Sequence, residues 1–315
     1  MNFTTKIPIS IAENLIHYDS KIVLLGSCFA ENIGEKFAYF KFQHTINPFG
    51  IIFNPISIEK LIERAINKKE FTEKDVFFHN ELWHCYEVHS ELSESDKEAF
   101  LIKLNHLLHH FRIQIEEASH IIITYGTSWI YKLKSSNKIV ANCLKVAQNQ
   151  FDKEILSVES IEKSIQKTCD LIQKVNPKCN VIFTISPVRH IKDGFLENQQ
   201  SKAHLISAIH SPNFQLPTSS YFPSYEIMMD ELRDYRFYAN DMLHPNQTAI
   251  NYIWERFSEA YFSKNTQTTM NEIESIQKSI SHKPFHSDSE SHRQFLVKLQ
   301  IKIASVQKQF STIQF

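Results

Sequence analysis

With 315 residues, 42% of them hydrophobic and 22% charged, the chain is long enough for one domain plus an extension and has the composition of a globular protein with a real core. A formal net charge of −1 excludes a global field that would draw it to nucleic acid or to an anionic membrane surface. Five cysteines without a C-x-x-C pair, no apolar run near the roughly 20 residues of a membrane span, and a polar stretch over residues 1–10 exclude a disulfide framework, a span and a signal peptide; a cytoplasmic protein with reduced thiols is expected.

In chain order, an apolar run at residues 22–25 reads as a strand that stops at Gly26. A helical pattern follows over 30–40, then a second strand over 42–46 ending in Asn47-Pro48-Phe49-Gly50. Residues 57–66 read as a helix with Ser57 as N-cap. Residues 71–90 are aromatic and His-rich, with no clear period. A long helix is expected over 95–118, and a buried strand over 121–125 that stops at Gly126. A helix over 158–175 precedes another buried strand, 181–185, stopped by Ser186-Pro187. Residues 198–209 read as a helix, 221–228 as a short last strand and 247–262 as a helix. Beyond 262 the composition turns polar, then helical over 271–280 and 291–310, with Phe295, Leu299, Ile303 and Val306 on one apolar stripe. The division is a main domain over 1–262 and a helical extension over 263–315 that docks on it. Asn2-Phe3-Thr4 and Asn246-Gln247-Thr248 match the glycosylation pattern and are expected to be chance matches.

Short apolar strands alternating with amphipathic helices predict an α/β fold: a mainly parallel sheet of about five strands, covered by helices on both faces. Such sheets bind ligands beyond the carboxyl ends of their strands. Ser27 and Cys28 follow the first strand, Gly50 the second, Thr127 and Ser128 the third, Ser186, Arg189 and His190 the fourth, and Asp241 and His244 the fifth. Five segments therefore converge on one edge.

A nucleophile between a strand and a helix N-terminus is exposed by the turn, and the helix favours its anion. Gly26 permits that turn. Ser27 and Cys28 both stand there. A thiol, with pKa about 8.5, is lowered by a helix N-terminus or a nearby His; a serine depends more on a general base. Taken singly, Ser27 is a helix cap and Cys28 a small hydrophobe. Asp241-x-x-His244 places a carboxylate one helical turn from an imidazole, either to orient the ring and free Nε2 as a base or to act as a separate acid. Arg189 suits a carboxylate or phosphate on a substrate. His106, His109 and His110 have no carboxylate or thiol spaced with them, and no metal site is expected. No phosphate loop or dinucleotide fingerprint is present, and no cofactor is expected.

Gly26-Ser27-Cys28-Phe29-Ala30 resembles the motif that gives the GSCFA family its name. The resemblance covers about residues 20–262. It extends through Asn47-Pro48-Phe49-Gly50, Gly126-Thr127-Ser128-Trp129, Val140-Ala141-Asn142-Cys143, Ser186-Pro187-Val188-Arg189-His190, Glu197-Asn198-Gln199, Ser201-Lys202, Tyr221-Phe222-Pro223 and Asp241-x-x-His244-Pro245. That family is grouped with the SGNH/GDSL hydrolases. The resemblance therefore implies a three-layer α/β/α sandwich, SGNH- or flavodoxin-like, and chemistry on ester bonds. Counted position by position, Cys28 falls at the SGNH nucleophile's place and Ser27 at the preceding aspartate's. Gly50 falls at the oxyanion glycine. The third-strand Gly-x-Asn-Asp is replaced by Gly126-Thr127-Ser128-Trp129, where a hydroxyl of Ser128, beside Thr127, would stand in as oxyanion donor. Loss of one such donor costs roughly 100-fold or more in rate. The resemblance further places Asn47, His89, Asn142, Arg189 and His190 among substrate-binding residues, with Trp83 beside His89. Leu144 replaces a family histidine after Asn142-Cys143.

Three readings follow. One is an esterase or deacylase acting on a small or carbohydrate-linked acyl group. One is an acyltransferase through a Cys28 thioester. One is a non-catalytic binding protein that keeps the pocket. The expected partner is a small-molecule or carbohydrate ester; no nucleic acid or membrane is expected, and the oligomeric state stays open.

Overall fold

A computed structural model of the protein describes residues 4–212 and 218–315; Asn2 and Phe3 of the first glycosylation triplet lie outside them. In chain order the elements are β1 Lys21–Gly26, α1 Cys28–Tyr39, β2 Gln43–Ile46, α2 Pro55–Ile66, β3 Val76–His79, β4 Leu82–Cys85, α3 Lys97–Glu117, β5 His120–Tyr125, β6 Trp129–Leu133, β7 Lys138–Val140, β8 Phe151–Ile155, α4 Val158–Val175, β9 Asn180–Ile185, α5 Phe195–Ile209, β10 Ser219–Phe222, α6 Ser224–Glu226, α7 Gln247–Tyr261, α8 Lys264–Ser281 and α9 Glu290–Gln309.

The main sheet has five strands in the order β10-β9-β5-β1-β2, and every pair is parallel. Chain order reverses between β1 and β5, so a crevice opens beyond the carboxyl ends of those two strands. The period of two along β1 feeds two cores. Val23 and Leu25 pack with Ile58 and Leu61 of α2, Phe100 and Leu104 of α3, Ile165 of α4 and Leu205 of α5. Ile22 and Leu24 pack with Phe37 of α1 and Ile253 and Phe257 of α7 on the other face. The result is the three-layer α/β/α arrangement.

Met270 and Ile273 of α8 and Leu299 and Val306 of α9 belong to that second core. The extension therefore docks on its own chain. Ile273 is fully buried, and Ile273→Ala is expected to lower the unfolding free energy by about 2–5 kcal/mol, read as a lower urea midpoint at unchanged m-value.

Several boundaries differ from the sequence expectation. Helix α2 starts at Pro55, with Asn54 as cap accepting from the Ser57 N–H; proline at the first helical position loses no intrahelical bond. The strand expected over 221–228 is β10, Ser219–Phe222, after which the chain turns into α6 and a single π-turn, Ile227–Glu231. Asp241 and His244 therefore lie well beyond the last strand rather than at its end. Two small sheets were not expected: the β3–β4 hairpin, and a three-stranded antiparallel sheet in the order β7-β6-β8.

Candidate active site

Gly26 ends β1 with φ +125°, and a Cβ there would lie 2.0 Å from the Thr124 carbonyl oxygen of β5. Only glycine fits so close an approach. The turn is then fixed by main-chain partners. The Gly26 N–H donates to Asn47 Oδ1 at 2.8 Å, the Ser27 N–H to Thr124 O at 3.0 Å and the Asn47 N–H to Leu24 O at 2.9 Å. Asn47 thus braces the turn from the end of β2.

Ser27 is fully buried, and its hydroxyl accepts from the Phe29 N–H as the cap of α1. Cys28, the first residue of α1, is half-buried. Of the two neighbours, only Cys28 is presented. Burial pushes its thiol up from the ordinary value and Glu31 adds to this, while Lys202 opposes. The expectation of a thiol lowered by the helix N-terminus is corrected: desolvation outweighs the helix.

His244 sits on an exposed turn. Asp241 Oδ2 meets His244 Nδ1 at 2.6 Å. Asp241 Oδ1 accepts from the backbone N–H groups of Leu243 at 2.9 Å and His244 at 3.0 Å. These backbone bonds, then the imidazole, hold the carboxyl at about 2. Asp241 therefore orients the ring, and Nε2 has no hydrogen-bond partner among the described residues. The Arg189 N–H donates to Leu243 O at 3.2 Å, fastening this turn to the segment that leaves β9. No hydrogen bond joins His244 to Ser27 or Cys28 among the described residues.

Between them lie two groups. His190 packs edge-on against the Phe53 ring at 5.2 Å, and its Nε2 is buried without a partner. Burial, then Lys202 and His244, bring it down to about 4. Lys202 of α5 is 1% exposed. Its Nζ donates to Gly126 O at 2.8 Å and Ser186 O at 2.7 Å, the loops that leave β5 and β9. Cys28, Lys202, His190 and His244 thus form one electrostatically connected group at the sheet edge.

The oxyanion expectations meet a different arrangement. The Gly50 N–H donates to Asn47 O at 2.7 Å. Gly50 is glycine because its φ is +74° and a Cβ would lie 2.3 Å from that of His89. The fully buried Ser128 hydroxyl donates to Ser201 O at 3.2 Å. The Thr127 hydroxyl meets Ser201 Oγ at 2.9 Å and accepts from the Trp129 N–H. Both residues brace β5 against α5. The Cys28 N–H, first in its helix, has no acceptor in a preceding turn and, with the Phe29 N–H, points at the Cys28 sulfur.

The other expected residues border this edge. His89 lies against Gly50, with Nδ1 at 3.5 Å from Glu91. The Arg189 guanidinium stands 5.6 Å over the Phe195 ring and beside Tyr238 and Tyr225. Asn142 Oδ1 accepts from the Leu144 N–H at 2.8 Å, so it shapes its own loop, and the neighbouring Cys143 faces Lys192. No cluster of three or more metal-ligating side chains occurs among the described residues, and no helix there is long and apolar enough to cross a membrane.

The GSCFA family model matches residues 21–257. The chain belongs to the GSCFA family. The model of the GSCFA domain protein, C-terminal domain, matches residues 273–315, the stretch that carries the second half of α8 and all of α9. Among solved structures, this GSCFA protein is similar to a carbohydrate esterase family 3 from Talaromyces cellulolyticus, at 10% identity and TM-score 0.36, over 80% of this chain and 99% of that one. No curated protein matches.

Proposed function

We propose that the protein is an SGNH-like acyl-transfer enzyme acting on ester bonds, with Cys28 as nucleophile and the Asp241–His244 pair as base. The observation that carries the reading is the 2.6 Å contact of Asp241 with His244 Nδ1, on a turn tied to the sheet edge where Cys28 is the presented nucleophile. The Cys28 thiol gives its proton to a neighbouring base as the sulfur attacks the ester carbonyl; a C–S bond forms, the C–O bond breaks, and that proton passes to the leaving alkoxide. Water or an acceptor hydroxyl then gives its proton to His244 Nε2 and attacks the thioester, releasing the thiolate. Arg189, Phe195, Tyr225 and Tyr238 would wall a small or carbohydrate-linked acyl substrate.

Transfer to an acceptor hydroxyl is the alternative outcome from the same Cys28 thioester. The Gly50 amide and the Ser128 hydroxyl are engaged within the protein, which leaves a weak oxyanion site and slows attack by water and by an acceptor hydroxyl alike.

The test is p-nitrophenyl acetate turnover by wild type, Cys28→Ala and Ser27→Ala, with mass spectrometry of the trapped acyl group. Cys28→Ala is expected to lose turnover by about a thousandfold or more, with the acetyl group found on Cys28 in wild type. Ser27→Ala is expected to keep turnover and to lose about 1 kcal/mol of stability with its cap. Equal turnover in all three would leave a binding protein that keeps the pocket.

A further inference from the structure

Lys202 is the only lysine of α5 and lies on that helix's buried face, one turn after Asn198 and one turn before Leu205. A lysine almost never goes fully inside unless something there requires it. Its amine makes two hydrogen bonds, to Gly126 O and Ser186 O. A neutral amine has two N–H groups and one lone pair; an ammonium has three N–H groups and none. The two carbonyls serve either form and the third position faces the Tyr225 ring, 5.5 Å away; among the described residues no carboxylate pairs with the amine, and burying a charge without a counter-charge favours the neutral form.

The place is as specific as the count. Gly126 packs against Ser27, with its added Cβ 3.3 Å from the Ser27 Cβ, so the carbonyl that holds Lys202 belongs to the residue touching the nucleophile turn. Cys28 and His190 are the ionisable groups that feel Lys202. His190 in turn feels His244.

We infer that Lys202 is the proton partner of Cys28: its neutral amine takes the thiol proton as the sulfur attacks, and His244 is left to activate the acceptor. The S–H bond breaks, an N–H bond forms on Nζ, and the neutral pair becomes a thiolate–ammonium pair. The two groups share no direct hydrogen bond, so the proton crosses on rotation of Cys28 or through one bridging water. Burial brings Lys202 down to about 7, with Cys28 opposing, so the amine is available as a base near neutrality. This inference rests on Cys28 as the nucleophile, yet its test needs no turnover.

The test is the rate at which iodoacetamide alkylates Cys28 between about pH 5.5 and 9.5, read on the Cys28 peptide by mass spectrometry. For wild type the rate should rise through about pH 7 and then level, because loss of one proton from the pair creates the reactive thiolate. In Lys202→Met and Lys202→Gln the inflection should vanish, and the rate should climb tenfold per pH unit until the thiol itself titrates. His244→Ala and His190→Gln should keep the wild-type profile. A wild-type profile without the step near pH 7 overturns the inference, whether or not the Lys202 variants fold. So does a step that survives in Lys202→Met or disappears in His244→Ala. If acetate-ester turnover fails while the step is present, the ester reading falls and the thiol–amine pair stands.

Discussion

Asp241→Asn is expected to lower turnover by a thousandfold to ten-thousandfold and to leave the fold intact. Asparagine keeps an Oδ1 to accept the Leu243 and His244 N–H bonds that shape the turn. Its other atom becomes an amide nitrogen, which donates. His244 Nδ1 must then accept, so the ring proton moves to Nε2, and the one nitrogen free to act as a base is blocked. Because the site is on the surface, thermal stability should stay within a degree or two. The measurement is kcat with p-nitrophenyl acetate, the parameter that carries thioester breakdown, with acetyl-Cys28 expected to accumulate in the variant, beside a melting curve. A loss below tenfold would show that the pair is a surface turn without a catalytic role. The wild-type acid limb carries a second sign. Asp241 is held at about 2, below its ordinary value, so it stays ionised as pH falls from 7 to about 4. Any loss of activity over that range therefore does not come from Asp241; the Lys202 amine, brought down to about 7 by burial, is a base that protonates there.

Gly26→Ala is expected to have the largest effect on stability. The new Cβ would meet the Thr124 carbonyl oxygen at 2.0 Å, and the φ of +125° is one that alanine rarely adopts. Backbone strain of this kind costs about 1–3 kcal/mol. The clash adds to it, because β1 and β5 are paired at that very point, Gly26 opposite Thr124. A total loss of about 4 kcal/mol or more follows, seen as a lowered urea midpoint or as failure to obtain folded protein. A midpoint like that of wild type would mean that the turn relaxes without resistance.

The main sheet was legible because its central strands β1, β5 and β9 are buried on both faces. Runs such as Ile121-Ile122-Ile123 or Val181-Ile182-Phe183 are apolar without alternation, and their stops, Gly126 and Ser186-Pro187, are sharp. The small sheets were not legible for the converse reason. Residues Asn80 and Glu81 turn the β3–β4 hairpin with positive φ at both positions, yet Asn-Glu lacks the glycine that marks such turns. Strands β6 to β8 alternate weakly and carry exposed Lys and Glu.

The Asp241–His244 pair and the Gly26 turn were visible as local patterns. Which of Ser27 and Cys28 is presented was not, because it depends on the cap geometry of α1. Lys202 was missed as a site residue although the signal was there: Asn198, Ser201, Lys202 and Leu205 follow a core-facing helical period, and a lysine on that stripe is an anomaly. Phe53 gave no such signal. Its role lies in a carbonyl that accepts from Gly126 and Thr127, and a main-chain role leaves no mark on residue type.

That last point reaches beyond Phe53. Carbonyl or amide groups of Leu24, Thr124, Gly126, Ser186 and Leu243 hold the nucleophile turn, the lysine and the histidine turn in place. A main-chain group is the same whatever side chain it carries. Over evolutionary time the residues around this site are therefore free to drift, so long as the strands keep their register. On the proposed mechanism, the positions where a side chain itself matters are few: Gly26, Cys28, Asn47, Lys202 and the carboxylate–imidazole pair. A lineage can change the walls of such a site, and with them its substrate, without rebuilding its centre.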